Sequence, residues 1–223
     1  MCECIVQHAS SENLLGLLAH THMHRASLDL NAFNQSLNAV TGLAFATSGN
    51  VIKPNMPVSA IRQRDGRLEC VRVRWGWSPV WTMGTLPPRT HLPLPLVMRS
   101  RVFDPIWREG RVLVAVDGWY DTPDDAASTQ GRRLSYTTSR QASPIFLAAL
   151  AQISDKPCGC DGLALLTCGD QQRLLAFTAD AALDWLKPDL SWQQAQDRVM
   201  QAAVDEPQLE HVLTSQRLVQ ARR

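Results

Sequence analysis

Nowhere does this chain carry the ~20 consecutive apolar residues that a bilayer-crossing helix needs. Its longest apolar stretches, such as Val112 to Val116 and Ile145 to Leu150, are strand-sized, so no membrane span and no membrane partner is expected. Also missing is the basic start and apolar block of a secretory signal. Met1-Cys2-Glu3-Cys4 runs at once into polar Gln7, His8 and Ser10, and the expected location is the cytoplasm. Lysine is scarce, three of the 22 cationic residues. The rest are arginines, whose planar fork suits phosphate better than a lysine's point charge. No internal repeat or linker divides the 223 residues, and 45% hydrophobic with 19% charged residues is neither a disordered nor a collagen-like composition. A single domain over residues 1–223, monomeric, is the expectation.

The net charge of +1 averages unlike regions. From Val51 to Arg111, eleven cationic side chains face four acidic ones, a net of +7, while the flanking stretches are acidic. Charge alone leaves open a polyanion-binding face or a solvated arginine-rich surface. Six cysteines in a chain of this size with no export signal are expected to be reduced. The two C-x-C pairs, Cys2/Cys4 and Cys158/Cys160, suggest a four-thiolate metal site as an alternative, although usual zinc spacing leaves two or more residues between ligands. His20, His22 and His24 alternate, but no carboxylate or cysteine lies near enough in sequence to complete a site. Neither metal nor cofactor is expected. Cys2 stands apart because removal of the initiator methionine makes it the first residue. An amine with a pKa near ~7.7 to 8 then sits beside a thiol near ~8.5. Such a 1,2-aminothiol condenses with an aldehyde to an imine and closes through sulfur to a thiazolidine. The plain alternative is an accidental cysteine on a frayed terminus.

Ser11 caps an expected helix over residues 12–21, whose leucines form its buried face. Residues 35–62 are mixed, with Gly42, Gly49, Pro54 and Pro57 marking turns. The stretch from Leu68 to Trp77 alternates, which predicts a strand with Val71, Val73, Trp75 and Trp77 on one face and Arg72 and Arg74 on the other. The proline-rich residues 82–95 read as a long loop. Strands are expected at 112–116, 145–151, 163–168 and 174–178, a polar tip at 122–131, helices at 180–187 and 191–204, and a helical turn from Glu206-Pro207. The result is an α+β domain, a mostly antiparallel, barrel-like sheet core with flanking helices.

Several ordered segments resemble one family. Its opening Met-Cys-Gly-Arg is similar to Met1-Cys2-Glu3-Cys4, and its Ala-Pro turn to Lys53-Pro54. Its Trp-Gly-x-x-Pro-x-Trp is complete in Trp75-Gly76-Trp77-Ser78-Pro79-Val80-Trp81. Arg101-Val102-Phe103-Asp104-Pro105-Ile106-Trp107 resembles its Arg-x-Phe-x-x-x-Trp, and Asp117-Gly118-Trp119-Tyr120-Asp121 its Asp-Gly-Trp-Tyr/Phe-Glu-Trp. Pro144 to Ala149 resembles a later strand. The family is SRAP, the SOS-response-associated peptidase domain that includes the abasic-site sensor proteins of bacteria and animals, and the resemblance runs from Cys2 to about Trp185.

The resemblance implies binding of single-stranded DNA and covalent coupling of the N-terminal cysteine to the aldehyde of an abasic site as a thiazolidine. Carried over residue by residue, it makes Cys2, His91 and Asp121 catalytic, and Pro54, Arg74, Trp81, Arg99, Arg101 and Thr167 contacts to DNA. There are departures. His91 stands where the family has an asparagine amide, and Pro93 where it has a phosphate-binding arginine. Asp121 is one methylene shorter than the family's glutamate, and the histidine expected after Thr167 is absent. Glu3 replaces a glycine beside the nucleophile. The competing reading is a catalytically reduced member that binds nucleic acid without turnover. Nothing in the chain resembles a Ser/His/Asp or Cys/His protease signature.

Overall fold

The computed structural model describes residues 2–7, 15–16, 18, 50–82, 85–122, 134–141, 144–156, 158–169, 172–194, 197, 201, 203 and 208–214. His20, His22 and His24, nearly all of the polar tip at 122–131, and most of the helices expected over 12–21 and 191–204 lie outside them. Two sheets carry the fold. The smaller contains β1 (Cys2–Gln7), β2 (Asn50–Ile52), β7 (Gly118–Asp121), β8 (Leu134–Ser139) and β13 (Leu209–Thr214), in the order β13-β8-β7-β1-β2. The larger follows β11-β10-β9-β6-β3-β4, built from β3 (Pro57–Arg64), β4 (Arg67–Arg74), β6 (Arg111–Val116), β9 (Ile145–Gln152), β10 (Gly162–Cys168) and β11 (Arg173–Leu174). Two short strands join its margins: β5 (His91–Pro93) on β10 and β12 (Ala176–Phe177) on β9. Among the described residues every strand pairing is antiparallel except β5 with β10. The expected mixed, mostly antiparallel α+β core is therefore present. The barrel-like closure is not: among the described residues the end strands of each sheet do not pair, and both sheets stay open.

The central strands are continuous apolar runs because both of their faces are covered. Along β6, Val112, Val114 and Val116 point into a core between the two sheets, while Leu113 and Ala115 point the other way. There they meet α1 (Leu94–Arg99), α2 (Asp104–Glu109) and α3 (Ala179–Leu186), whose Val97, Trp107 and Trp185 are buried. The same alternation runs along β9, with Leu147 and Ala149 between the sheets and Phe146 and Ala148 beneath the helices.

Four local expectations change. Trp75 and Trp77 do not share a face: Trp75 enters the inter-sheet core and Trp77 the helix-side core. Gly76 lies between them at φ +147, a backbone shape that side-chain-bearing residues avoid, and it breaks the period of two. The proline-rich loop is shorter than 82–95, because β5 and α1 begin inside it. Pro93 sits on a marginal strand and another proline within the first helical turn, where no amide donor is missed. The expected 174–178 strand is broken into β11 and β12. Finally, Leu209–Thr214 pair with β8 as strand β13, where no strand is expected; Glu206 and Pro207, the start of the expected helical turn, lie outside the described residues.

Candidate functional site

β1 opens with Cys2 and runs antiparallel to β7 with Cys2 opposite Asp121, an irregularity in register separating Cys2 from Cys4. The Cys2 side chain closes one end of the inter-sheet core, 6% exposed, and its thiol donates to the Cys4 carbonyl at 3.6 Å. Burial pushes this thiol well above the ordinary range, and the neighbouring Asp121 carboxylate pushes the same way. At neutral pH the sulfur therefore holds its proton, and losing it requires a nearby acceptor.

Asp121 supplies a carboxyl at that position. Its Oδ2 accepts a 2.6 Å hydrogen bond from the Trp119 indole N–H, which orients the group. Burial raises its pKa, opposed by the Trp119 bond and by the positive N-terminus. Glu3, the next residue along β1, adds a like charge and accepts a hydrogen bond from the Thr122 hydroxyl.

His91 enters from the other sheet. In the parallel pairing of β5 with β10, His91 lies opposite Leu165 and Pro93 opposite Thr167. Its ring stands edge-on to Trp75, centroids 5.7 Å apart, and Trp75 in turn donates its indole N–H to the Thr90 carbonyl at 3.0 Å. Nδ1 lies 3.0 Å from the Thr90 hydroxyl. Burial, and after it the positive N-terminus, lower the His91 pKa to about 4. The imidazole is thus neutral at physiological pH and lies within the field of the N-terminus. Its Nε2 is buried with no hydrogen-bond partner among the described residues, as is the Thr167 hydroxyl two positions along the same ladder. Two orphaned polar atoms at one end of a core are groups left for a polar ligand.

Pro54 sits in a Lys53–Met56 turn, with Asn55 at φ +71 and the Met56 amide donating to Lys53, the pattern of a type II turn with proline first. Amide bonds to and from Trp75 hold this turn against the tryptophan that buttresses His91. Burial raises the Cys4 thiol to about 11, and the Lys53 charge opposes that rise.

Of the remaining sites, Trp81 is 60% exposed and rests edge-on against buried Trp77, which also touches Phe103. Arg99 ends α1, Arg101 opens the next helical turn, and both are exposed, as are Leu96 and Val102 beside them. Arg89 pairs with Trp77 and is also exposed, so this aromatic and basic surface runs into β5 two residues before His91. Arg74 is not part of it. Its guanidinium donates to the carbonyls of Gly159 and Asp161 and pins that loop.

The +7 segment is also less cationic in space than in sequence. Arg62 pairs with Glu69 and Arg64 with Asp155. Arg111 is buried, donates to the carbonyls of Lys187 and Leu190, and lies 5.1 Å over the Trp107 ring. All six cysteines are free thiols, and among the described residues no three His, Cys, Asp or Glu side chains are placed to hold a metal ion. Trp119 and Lys53 join the site with no signal beyond their place in the motifs, and Thr90 with none at all.

Compared with known proteins, residues 1–220 match the family described as SOS response associated peptidase (SRAP). The Escherichia coli (strain K12) protein named abasic site processing protein YedK is 24% identical over 155 residues, which is 66% of this chain and 68% of that one. Among solved structures, a phage-related protein of Bordetella bronchiseptica aligns at a TM-score of 0.70 and 19% identity, covering 96% of this chain and 95% of that one. A Bacteroides thetaiotaomicron protein aligns at 0.62 and 11% identity, covering 95% and 91%.

Proposed function

The chain belongs to the SRAP family, and from that premise we propose that it processes abasic sites in DNA by coupling Cys2 covalently to the lesion's aldehyde. The observation that carries the proposal is the Cys2–Asp121 pairing, a thiol at the start of β1 with a carboxyl fixed opposite it by Trp119.

Once Met1 is removed, the Cys2 amine attacks the aldehyde carbon of the ring-opened sugar. The carbinolamine loses water to form an imine. The Cys2 sulfur then adds to the imine carbon, its proton passing to nitrogen, and a thiazolidine closes. The sum is one water released and no change of oxidation state. Because the thiol is held protonated, the amine acts first and the sulfur needs help. Asp121 takes the thiol proton and returns one to the leaving hydroxyl or the ring nitrogen. Neutral His91 and the Thr167 hydroxyl turn their unpaired polar atoms to the sugar or its phosphate. Trp81 stacks an unpaired base, while Arg99 and Arg101 hold the backbone of single-stranded DNA. Arg74, a DNA contact by the resemblance, has one guanidinium nitrogen, Nη2, engaged by the loop carbonyls of Gly159 and Asp161.

The test is incubation with single-stranded DNA carrying one abasic site, followed by denaturing electrophoresis. An adduct that disappears in Cys2→Ala supports the proposal. No adduct from protein whose N-terminus is verified as Cys2 leaves the binding-only reading, which the burial of the Cys2 thiol favours.

A further inference from the structure

β13 brings a second imidazole to the carboxyl side of this site. Its six residues pair with β8 in full register, placing His211 opposite Thr137, and Thr137 is in turn opposite Trp119 on β7. Residues opposite one another on neighbouring strands share a face. Trp119 faces the inter-sheet core, so Thr137, His211 and Asp121, two residues beyond Trp119, lie on the same side of the sheet, with His211 itself exposed on its end strand. Side-chain contacts continue the row. His211 Nδ1 lies 2.9 Å from the Thr137 hydroxyl, which is almost wholly buried, and Trp119 donates to Asp121 at 2.6 Å. The strand is fixed at its start, where Leu209 is buried and its carbonyl accepts from the Arg140 guanidinium at 2.9 Å.

We propose that His211 is a positioning residue for the Cys2–Asp121 site, acting on the Asp121 carboxyl from β13 while Thr137 holds its ring in place. This rests on the proposed role of Asp121. The charges acting on that carboxyl are the N-terminus, Glu3 on β1, and His211 on β13, one strand beyond neighbouring β8; the titratable thiols of Cys2 and Cys4 lie on its β1 side. When protonated, His211 favours the carboxylate, Glu3 opposes it, and burial opposes it most. His211 therefore works against burial, keeping the carboxylate available to take the thiol proton at a lower pH than it otherwise would be.

Two measurements on the full chain decide this. In the first, the titration of the Asp121 carboxyl is followed by carbon NMR in DNA-free protein, for wild type, His211→Gln and Thr137→Val. His211→Gln retains a polar group for Thr137 but not the charge, and its Asp121 midpoint should move up by roughly half a pH unit, the size of a partly screened charge effect. Thr137→Val, which leaves the imidazole but removes its anchor, should move it up by less. In the second, the pH profile of adduct formation on abasic DNA should show its acidic limb displaced upward by the same amount in His211→Gln. An unmoved Asp121 midpoint overturns the proposal, and so does a slower rate whose limb stays in place. The first measurement uses no DNA. A wild-type protein that forms no adduct therefore defeats the proposed function while the NMR titration still decides the role of His211.

Discussion

Replacing Asp121 with asparagine drives two observables in opposite directions. The amide still accepts the Trp119 N–H, so the site keeps its shape, and exchanging a charge-assisted bond for a neutral one costs about 1 kcal/mol of stability. The group that moves a proton is lost, which slows adduct formation by about 10²- to 10⁴-fold. Yet the negative neighbour that helps raise the Cys2 thiol is lost as well, so the thiol becomes more acidic. Burial is the larger cause and remains, so the thiol midpoint falls without returning to an ordinary value. The assay pairs single-turnover adduct formation on abasic single-stranded DNA with alkylation of Cys2 as a function of pH. Faster alkylation at a given pH together with slower adduct formation is the expected outcome. If Asp121→Asn forms adduct as fast as wild type or faster, the thiolate population limits the reaction and Asp121 is not its proton acceptor.

Three further outcomes follow from the same geometry. A His91 pKa lowered to about 4, against 6.5 unfolded, stabilises the folded chain above pH 6.5, and that stability is lost as pH falls toward 4. Wild type should therefore lose about 3 kcal/mol more than His91→Asn between pH 7 and 4 in urea unfolding, and equal losses refute the assignment. Trp81→Ala should weaken single-stranded DNA binding by about 1 to 3 kcal/mol with little change in melting temperature, since the ring is mostly exposed; unchanged affinity removes it from the interface. Arg111→Met strands the Lys187 and Leu190 carbonyls and should cost about 2 kcal/mol in chemical denaturation without altering the salt dependence of DNA binding. A reduced salt slope would return Arg111 to the phosphate-binding set.

What could be read from the sequence follows from which forces act locally. β6, β9 and β10 announce themselves because burial on both faces leaves them no polar positions. β8, with Ser135, Thr137, Thr138 and Ser139, carries no such mark, and neither do β1, β2, β7 and β13, so no strand of the smaller sheet is expected from the sequence. The β3–β4 hairpin has a signal in Asp65-Gly66, both at positive φ in a two-residue turn, but the mixed composition of the segment before it hides β3. Trp75 and Trp77 look like one face until Gly76 breaks the alternation between them. At the site, the motif residues Cys2, His91, Asp121 and Thr167 could be named from the resemblance, but their registers could not, because no local pattern relates Cys2 to Asp121 or His91 to Thr167. The basic segment misled for the same reason. Whether an arginine faces solvent, a carboxylate or a pair of carbonyls depends on distant residues such as Asp155, Gly159 and Leu190.

The central claim is that Cys2 itself becomes joined to the abasic sugar, and the intact mass of the protein after reaction with an abasic oligonucleotide tests it most directly. The account predicts a species equal to the Met1-free chain plus the oligonucleotide minus one water, with the bond mapped by peptide fragmentation to Cys2. A covalent species mapped to any other residue, or unmodified protein with Cys2 confirmed at its N-terminus, contradicts it.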